Sequence, residues 1–292
     1  MRVLATGGGG MLARAAVPAF MGAGHDVLAL TKAELDVTDP DAVRRAVRDA
    51  RPDWVLHLAA FTHVDACETE AWRAFAVNGF GAANVAAAAR EAGAGISAIS
   101  TDYVFPGDAR EPYREHDPAA PRSTYGASKW VGEECVRWTN PRHQVVRTSW
   151  LFGAGGPNFV DTILAKARAG DALRVVDDQR GSPTWTGHLA EGLLALVARG
   201  TPGTYHCTSS GACTWFDLAA YALERAGVRA SLERTDTASF PRPARRPAWS
   251  VLSAEAFERA TGWRMPDWRQ GVDRYLAERA GAATPAGAGS RP

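Results

Sequence analysis

The chain reads as an α/β protein: a Rossmann-type, doubly wound parallel sheet with a smaller C-terminal substrate-binding lobe. Three observations predict it. Short apolar runs alternate with helix-like segments through the first half, the rhythm of βαβ units. Four consecutive glycines, Gly7-Gly8-Gly9-Gly10, stand between the first apolar run and the first helical pattern. The second half is less regular, as expected of a lobe built onto a sheet rather than of further repeats. The 292 residues are enough to bury a large core. The expected division is a Rossmann domain over residues 1–150, joined by returning segments of the second half, then a lobe over 151–280. The tail 281–292 runs through Gly, Ala, Pro and Ser without periodicity and is expected to be disordered.

In chain order, a strand is predicted at 3–5 and a helix at 11–21, then a strand at 27–30 and a helix at 41–49. A strand at 54–58 and a long helix at 72–91 follow. Further strands at 96–100 and 144–148 flank a helix that carries Tyr125 and Lys129. Beyond residue 150, helices are expected near 159–169, 188–198, 215–226, 253–261 and 268–280, with strands near 173–176 and 203–207. A loop rich in Pro and Arg covers 241–247.

Charge excludes several partners. Thirty-three basic residues against thirty-two acidic ones give a formal net charge of +1, without a long basic run, so neither nucleic acid nor an anionic membrane is expected as a partner. No charged-then-apolar leader opens the chain and no apolar stretch is long enough to span a bilayer, so a soluble, cytoplasmic protein is expected. Four cysteines, at 67, 135, 207 and 213, lack Cys-x-x-Cys spacing and read as isolated reduced thiols, with no disulfide framework or zinc site.

Glycines between a strand and a helix permit a tight turn and let backbone N–H groups approach a pyrophosphate at the helix N-terminus. Two registers fit: Gly8-x-Gly10-x-x-Ala13, and the wider Gly7-x-x-Gly10-x-x-Ala13. In NAD-selective folds an acidic residue usually ends the second strand and grips the adenosine ribose. Here that strand ends Leu30-Thr31-Lys32. With no carboxylate there and Lys32 at the edge, NADPH is favoured, with NADH also accommodated; alternatively Lys32 is merely solvated. Asp36 either accepts from an adenine amino group or caps the helix that begins near residue 41. The small residues Ala59 and Ala60, after the strand from residue 54, suit close approach of a cofactor to the carboxyl edge of the sheet. His57 and His63 have no metal-ligand partners at suitable spacing and read as non-catalytic.

Only three of the basic residues are lysines, Lys32, Lys129 and Lys166, and Lys129 lies one helical turn after Tyr125. An ammonium near a phenol favours the phenolate and is expected to lower the tyrosine pKa from about 10, which points to hydride chemistry with a tyrosine acid. On its own, the pair also fits a helix-surface contact at i, i+4. Upstream, Ser100-Thr101-Asp102 places hydroxyls at the end of a strand, where a carbonyl substrate would meet a nicotinamide. Hydroxyl, tyrosine and lysine together form a proton relay.

These features resemble the extended short-chain dehydrogenase/reductase superfamily, whose Ser/Thr, Tyr and Lys match Thr101, Tyr125 and Lys129. Within it the chain is most similar to the dTDP-4-dehydrorhamnose reductase family. The stretches that carry the resemblance are 59–68, Val77-Asn78, 100–107, 125–129, 147–153, 178–184 and 246–252, in the expected order across roughly residues 1–280. The resemblance implies an NADPH-dependent oxidoreductase acting on a dTDP-linked 4-keto-6-deoxysugar, as a monomer or homodimer. It implies that Gly7, Gly10, Met11, Leu12, Asp36, Val37, Ala59, Ala60, Phe61 and Thr62 line the cofactor, and that Tyr125 and Lys129 touch both cofactor and reaction centre. Thr101 and Asp102 would contact the sugar and Trp150 would pack on it, although Trp150 could equally be a core residue. Arg180, Arg245 and Arg246 are candidates for the nucleotide diphosphate or are solvated surface arginines. Some relatives dimerise through a magnesium ion held by glutamates, one of them in the first helix. That helix here reads Leu12-Ala13-Arg14-Ala15-Ala16-Val17, so no metal is expected. A related ketosugar reductase, such as a dihydrostreptose-type synthase, is the nearest alternative. A non-catalytic nucleotide-binding subunit is less favoured, because it has no need of the relay.

Overall fold

The computed structural model describes residues 1–283. Its first half alternates strand and helix: β1 (Arg2–Thr6), α1 (Met11–Gly22), β2 (Asp26–Leu30), α2 (Pro40–Ala50) and β3 (Trp54–His57). Then come α3 (Val64–Thr69), α4 (Ala71–Ala74), a π-helical turn (Phe75–Phe80), α5 (Gly81–Glu91), β4 (Gly95–Thr101), α6 (Thr124–Thr139) and β5 (His143–Thr148). The second half adds β6 (Leu151–Phe152), α7 (Phe159–Arg168), β7 (Leu173–Val176), β8 (Arg180–Gly181), β9 (Thr184–Trp185), α8 (Thr186–Arg199) and β10 (Gly203–His206). It closes with β11 (Cys213–Thr214), α9 (Trp215–Arg225), β12 (Leu232–Thr235), α10 (Glu255–Thr261) and α11 (Trp268–Ala283).

Six parallel strands form the central sheet in the order β10-β5-β4-β3-β1-β2. Alternate residues of each strand enter opposite cores. Leu4, Val55, Ile96 and Val145 face Val43, Val47, Val85 and Val136 of α2, α5 and α6. Val3, Leu56 and Val146 face Phe20 of α1 and Leu189, Leu193 and Leu196 of α8. Burial on both faces is why these strands read as near-continuous apolar runs. The chain order reverses between β1 and β3, which opens a crevice at their carboxyl ends.

A third core lies outside the sheet. Leu164 of α7, Leu173 of β7, Leu218 and Ala222 of α9, and Trp268, Val272 and Tyr275 of α11 pack together, and β7 pairs in parallel with β12. Residues of α8 and β10 return from the second half to the central sheet.

Three expectations change. The helix expected over 72–91 is interrupted by the π turn, where Asn78 is buried and hydrogen-bonded. The helix expected from 253 starts at Glu255. Of the tail expected to be disordered, residues 281–283 continue α11, while 284–292 lie outside the described residues. All four cysteines are free. Among the described residues no helix is long and apolar enough to cross a membrane.

Candidate active site

The glycine turn settles its own register. Gly7 has φ +71° and its Cβ position would lie 2.7 Å from the Ala59 backbone, so a side chain is excluded twice over. Gly10 caps α1 and donates its N–H to the Gly7 carbonyl at 2.9 Å. Ala13 is buried against the sheet, giving the spacing Gly7-x-x-Gly10-x-x-Ala13. The first turn of α1 has no side-chain cap and no acidic residue, so its N–H groups are left for an anion.

A cavity of about 270 Å³ opens from this turn, lined by Gly7, Gly9, Gly10, Lys32, Asp36, Val37, Ala59, Ala60 and Phe61, with Leu35, Leu58, Arg73 and Val77. Asp36 accepts from the Thr38 N–H (3.0 Å) and hydroxyl (2.8 Å), which hold its carboxyl below the usual range. It does not cap α2; Asp39 does, accepting from Asp41 and Ala42. Met11, Leu12 and Thr62 are not among the lining residues. Leu12 is turned into the core with Val3 and Phe20, Met11 lies against Gly156, and Thr62 is exposed. Two charged residues escaped the sequence reading. Glu34 accepts from the N–H and hydroxyl of Thr31, both at 2.8 Å, so a carboxylate does stand by the end of β2, engaged with its own turn. Arg73 lies over the Phe61 ring at 4.4 Å and pairs with Glu70 at 2.8 Å. Only three-dimensional folding brings Arg73 into the lining of the cavity that Lys32 also borders.

Phe61 and Val77 link the cavity to Tyr125, which packs with them and with Cys67 and Ala74. Tyr125 meets Tyr103 edge to face, with ring centroids 5.7 Å apart, and the Thr101 hydroxyl acts on its phenol. Thr101 donates to Asp102 Oδ1 at 2.9 Å. Lys129 is buried, and its Nζ donates to the Ile99 carbonyl at 2.6 Å. The expected lowering of the tyrosine pKa is reversed: burial pushes the Tyr125 phenol up, and the Asp102 charge adds to the effect. The lysine points at the backbone of β4 and is itself pushed down to about 8 by burial, with Glu133 opposing the fall. His57 hydrogen-bonds Thr6 Oγ1 through Nδ1 at 2.9 Å and is kept neutral by burial, its value falling to about 3, whereas His63 is exposed.

Beyond Tyr103 a second cavity, of about 530 Å³, is lined by Trp150, Trp215, Asn158, Phe159, Arg242 and Arg246 among others. Trp150 has φ +47° and stacks on Trp215 with centroids 3.6 Å apart and planes 4° from parallel. A Cβ at Gly181 would lie 2.5 Å from the Trp150 ring, so a glycine is required there. Trp215 was not singled out from the sequence, because its only signal is a contact 65 residues distant. Arg246 pairs with Asp65 at 2.9 Å, and its Nη1 is buried without a hydrogen-bond partner. Arg180 is exposed and does not line this cavity; its backbone pairs with Ala248 and Ser250 instead. Arg245 borders a smaller cavity with Tyr103 and Arg246.

The chain matches the family described as RmlD substrate binding domain over residues 1–280. It is 42% identical over 294 residues to a dTDP-4-dehydrorhamnose reductase of Streptomyces griseus, covering 97% of each chain. It is 43% identical over 276 residues to a probable dTDP-4,6-dihydroxy-2-methyloxan-3-one 4-ketoreductase of Streptomyces antibioticus, covering 93% of each. The solved structure of a Bacillus anthracis dTDP-4-dehydrorhamnose reductase in complex with NADP superposes with a TM-score of 0.92 at 36% identity, covering 95% of this chain and 99% of that one.

Burial pushes the Asp102 carboxyl up to about 6, with the Thr101 hydrogen bond opposing, and its Oδ2 is buried without a partner. A carboxyl raised in the folded state stabilises below its unfolded pKa and loses that contribution as pH rises through the folded value. Asp102→Asn is therefore expected to be more stable than the wild type at pH 8, by on the order of 1–3 kcal/mol, and to lose most of that advantage at pH 4.5. Urea denaturation at the two pH values checks this; a pH-independent difference would contradict it.

Proposed function

Because the chain belongs to the family of the RmlD substrate binding domain and of the dTDP-4-dehydrorhamnose reductases, we propose that it is an NADPH-dependent reductase that turns the C4 ketone of dTDP-4-dehydro-6-deoxy-L-mannose into the alcohol of dTDP-L-rhamnose. The observation that carries this reading is the convergence of Thr101, Tyr125 and Lys129 at the carboxyl end of β4, with a cavity that opens from the glycine turn, where Gly7 leaves no room for a side chain.

The residues present fit the dinucleotide: Gly7 and Gly10 shape the turn, the uncapped N-terminus of α1 takes the pyrophosphate, and Asp36, Val37, Lys32 and Arg73 surround the adenosine end. Bound there, NADPH supplies a hydride from C4 of its nicotinamide. Thr101 polarises the ketone oxygen, and Tyr125 donates its phenolic proton to the alkoxide as it forms. The raised phenol pKa serves this role, since the tyrosine stays protonated at neutral pH and an alkoxide is a far stronger base. Lys129 has three N–H donors and uses one on Ile99, which leaves two for the nicotinamide ribose and for the phenolate left on Tyr125. The cavity beyond Tyr103 takes the nucleotide sugar. Trp150, fixed by Trp215, packs on the sugar, and Arg246 meets the diphosphate with its unpartnered Nη1. The substrate side is thus built mainly from residues 151–280 and the cofactor side from residues 1–150.

The Streptomyces antibioticus relative favours a second reading, in which the same chemistry acts on a different dTDP-ketosugar. Cofactor oxidation measured against a panel of dTDP-ketosugars separates the two, and comparable specificity constants for free and dTDP-linked sugars would rule out both.

Tyr125→Phe is expected to fold and bind NADPH like the wild type while turnover falls by about two to four orders of magnitude. Retention of more than about a tenth of the wild-type rate would show that Tyr125 is not the proton donor.

Lys32→Ala is expected to raise the Michaelis constant for NADPH and leave that for NADH nearly unchanged, because only the former carries a 2′-phosphate. Steady-state kinetics with both cofactors decide it. Equal effects on the two would remove Lys32 from the phosphate.

A further inference from the structure

Behind Lys129 lies a small polar pocket of about 10 Å³, with His57 from β3, Asn78 from the π turn, Ser100 from β4 and Glu133 from α6 among its walls. Ala82 of α5, Ala98 and Ile99 of β4, Gly132 of α6 and Val145 of β5 also line it, and His57 is neutral. Glu133 is the one carboxylate among these lining residues. It is 2% exposed, yet three groups hold its charge in place through four hydrogen bonds. The Ser100 hydroxyl donates to Oε1 at 2.5 Å, Arg147 donates to both oxygens at 2.9 and 2.7 Å, and Arg137 donates to Oε2 at 2.6 Å. A buried carboxyl would otherwise take up a proton; the two guanidinium groups and the hydroxyl keep it ionised, below its ordinary value despite burial.

The three partners come from three elements. Ser100 precedes Thr101 on β4, Arg147 lies on β5, and Arg137 shares α6 with Tyr125 and Lys129. Glu133 also lies one helical turn beyond Lys129, on the same face. We propose that Glu133 is a positioning residue of the reaction: it fixes the helix bearing Tyr125 and Lys129 against the Thr101 end of β4 and keeps the lysine charged. The inference rests on the reading of Tyr125 and Lys129 as the reducing pair. Nothing else lining the pocket offers a negative charge. Asp102 raises the Tyr125 value, and Arg147 bonds Glu133, the Glu115 carbonyl and His206 and lies over the Phe105 ring.

The sign of the effect follows from the opposing influences on Lys129. Burial lowers its pKa and Glu133 raises it, so neutralising Glu133 leaves burial unopposed. The lysine then loses its proton at lower pH. The test is the pH dependence of kcat for the full-length wild type, Glu133→Gln, Glu133→Asp and Ser100→Ala, with thermal melting and NADPH affinity by fluorescence measured alongside.

In Glu133→Gln the alkaline limb of kcat is expected to move down by about one pH unit, with kcat lower by about 10- to 100-fold and both Michaelis constants within about twofold. Glu133→Asp is expected to restore the limb. Ser100→Ala, which removes one clamp bond and leaves the charge, is expected to lower kcat several-fold with the limb unmoved. A Glu133→Gln profile that superposes on the wild type overturns the proposal. If Glu133→Gln fails to fold, Ser100→Ala decides, and an unchanged kcat there overturns it. A failure here with Tyr125→Phe inactive leaves the reductase reading standing, whereas an active Tyr125→Phe removes that reading itself.

Discussion

The arrangement of Thr101, Tyr125 and Lys129 depends on how closely α6 approaches the sheet and the loops around it. A Cβ at Gly126 would run into the Tyr103 carbonyl, and one at Gly132 into the Asn78 carbonyl. These two glycines sit either side of Lys129, at the cost of some helix propensity. The close approach they permit brings Lys129 Nζ within 2.6 Å of the Ile99 carbonyl and Glu133 within 2.5 Å of Ser100. A helix shifted outward by a methyl group would lengthen all of these bonds together. Asn78 reinforces the contact: it bonds both the N–H and the carbonyl of Phe61, and its amide also donates to Ser128 of α6. The π turn that carries Asn78 supplies this extra reach.

The two cavities are built differently. The switch in strand order places one between the ends of β1 and β3, where glycines and alanines leave backbone exposed. The other is walled by β6, α7, α9 and the arginine-rich loop, elements that pack on their own core. Tyr103 meets Tyr125 edge to face and feels the charge of Arg246, which lines the second cavity. Asp65 ties Arg242 and Arg246 back to α3, so the loop that lines the second cavity is anchored to the half of the chain that builds the first.

The parallel sheet was legible in the sequence because strands buried on both faces carry apolar residues in succession, as Val3-Leu4-Ala5, Trp54-Val55-Leu56 and Val145-Val146 do. The glycine turn was legible as a turn but not in its register, because four adjacent glycines satisfy two spacings, and only the positive φ of Gly7 and the Gly10 to Gly7 bond choose one. What sequence did not reveal depends on distant contacts. The π turn has no propensity signature, and Glu133 reads as one more acidic residue on a helix until Arg147 and Ser100 fold onto it. Trp215 and Arg73 acquire their places only through tertiary packing. The direction of the Tyr125 shift was misread for a related reason: spacing put an ammonium near the phenol, but burial outweighs it and the ammonium turns toward β4.

On the proposed function, the cofactor's hydride reaches the C4 carbon of a dTDP-linked ketosugar held over Tyr125. Reduction with NADPH deuterated at the transferred C4 position, followed by mass spectrometry and proton NMR of the product, tests it directly. One deuterium at sugar C4, with the C4 proton signal lost, is the predicted result. Deuterium at any other carbon, or product formed without label, would contradict the account.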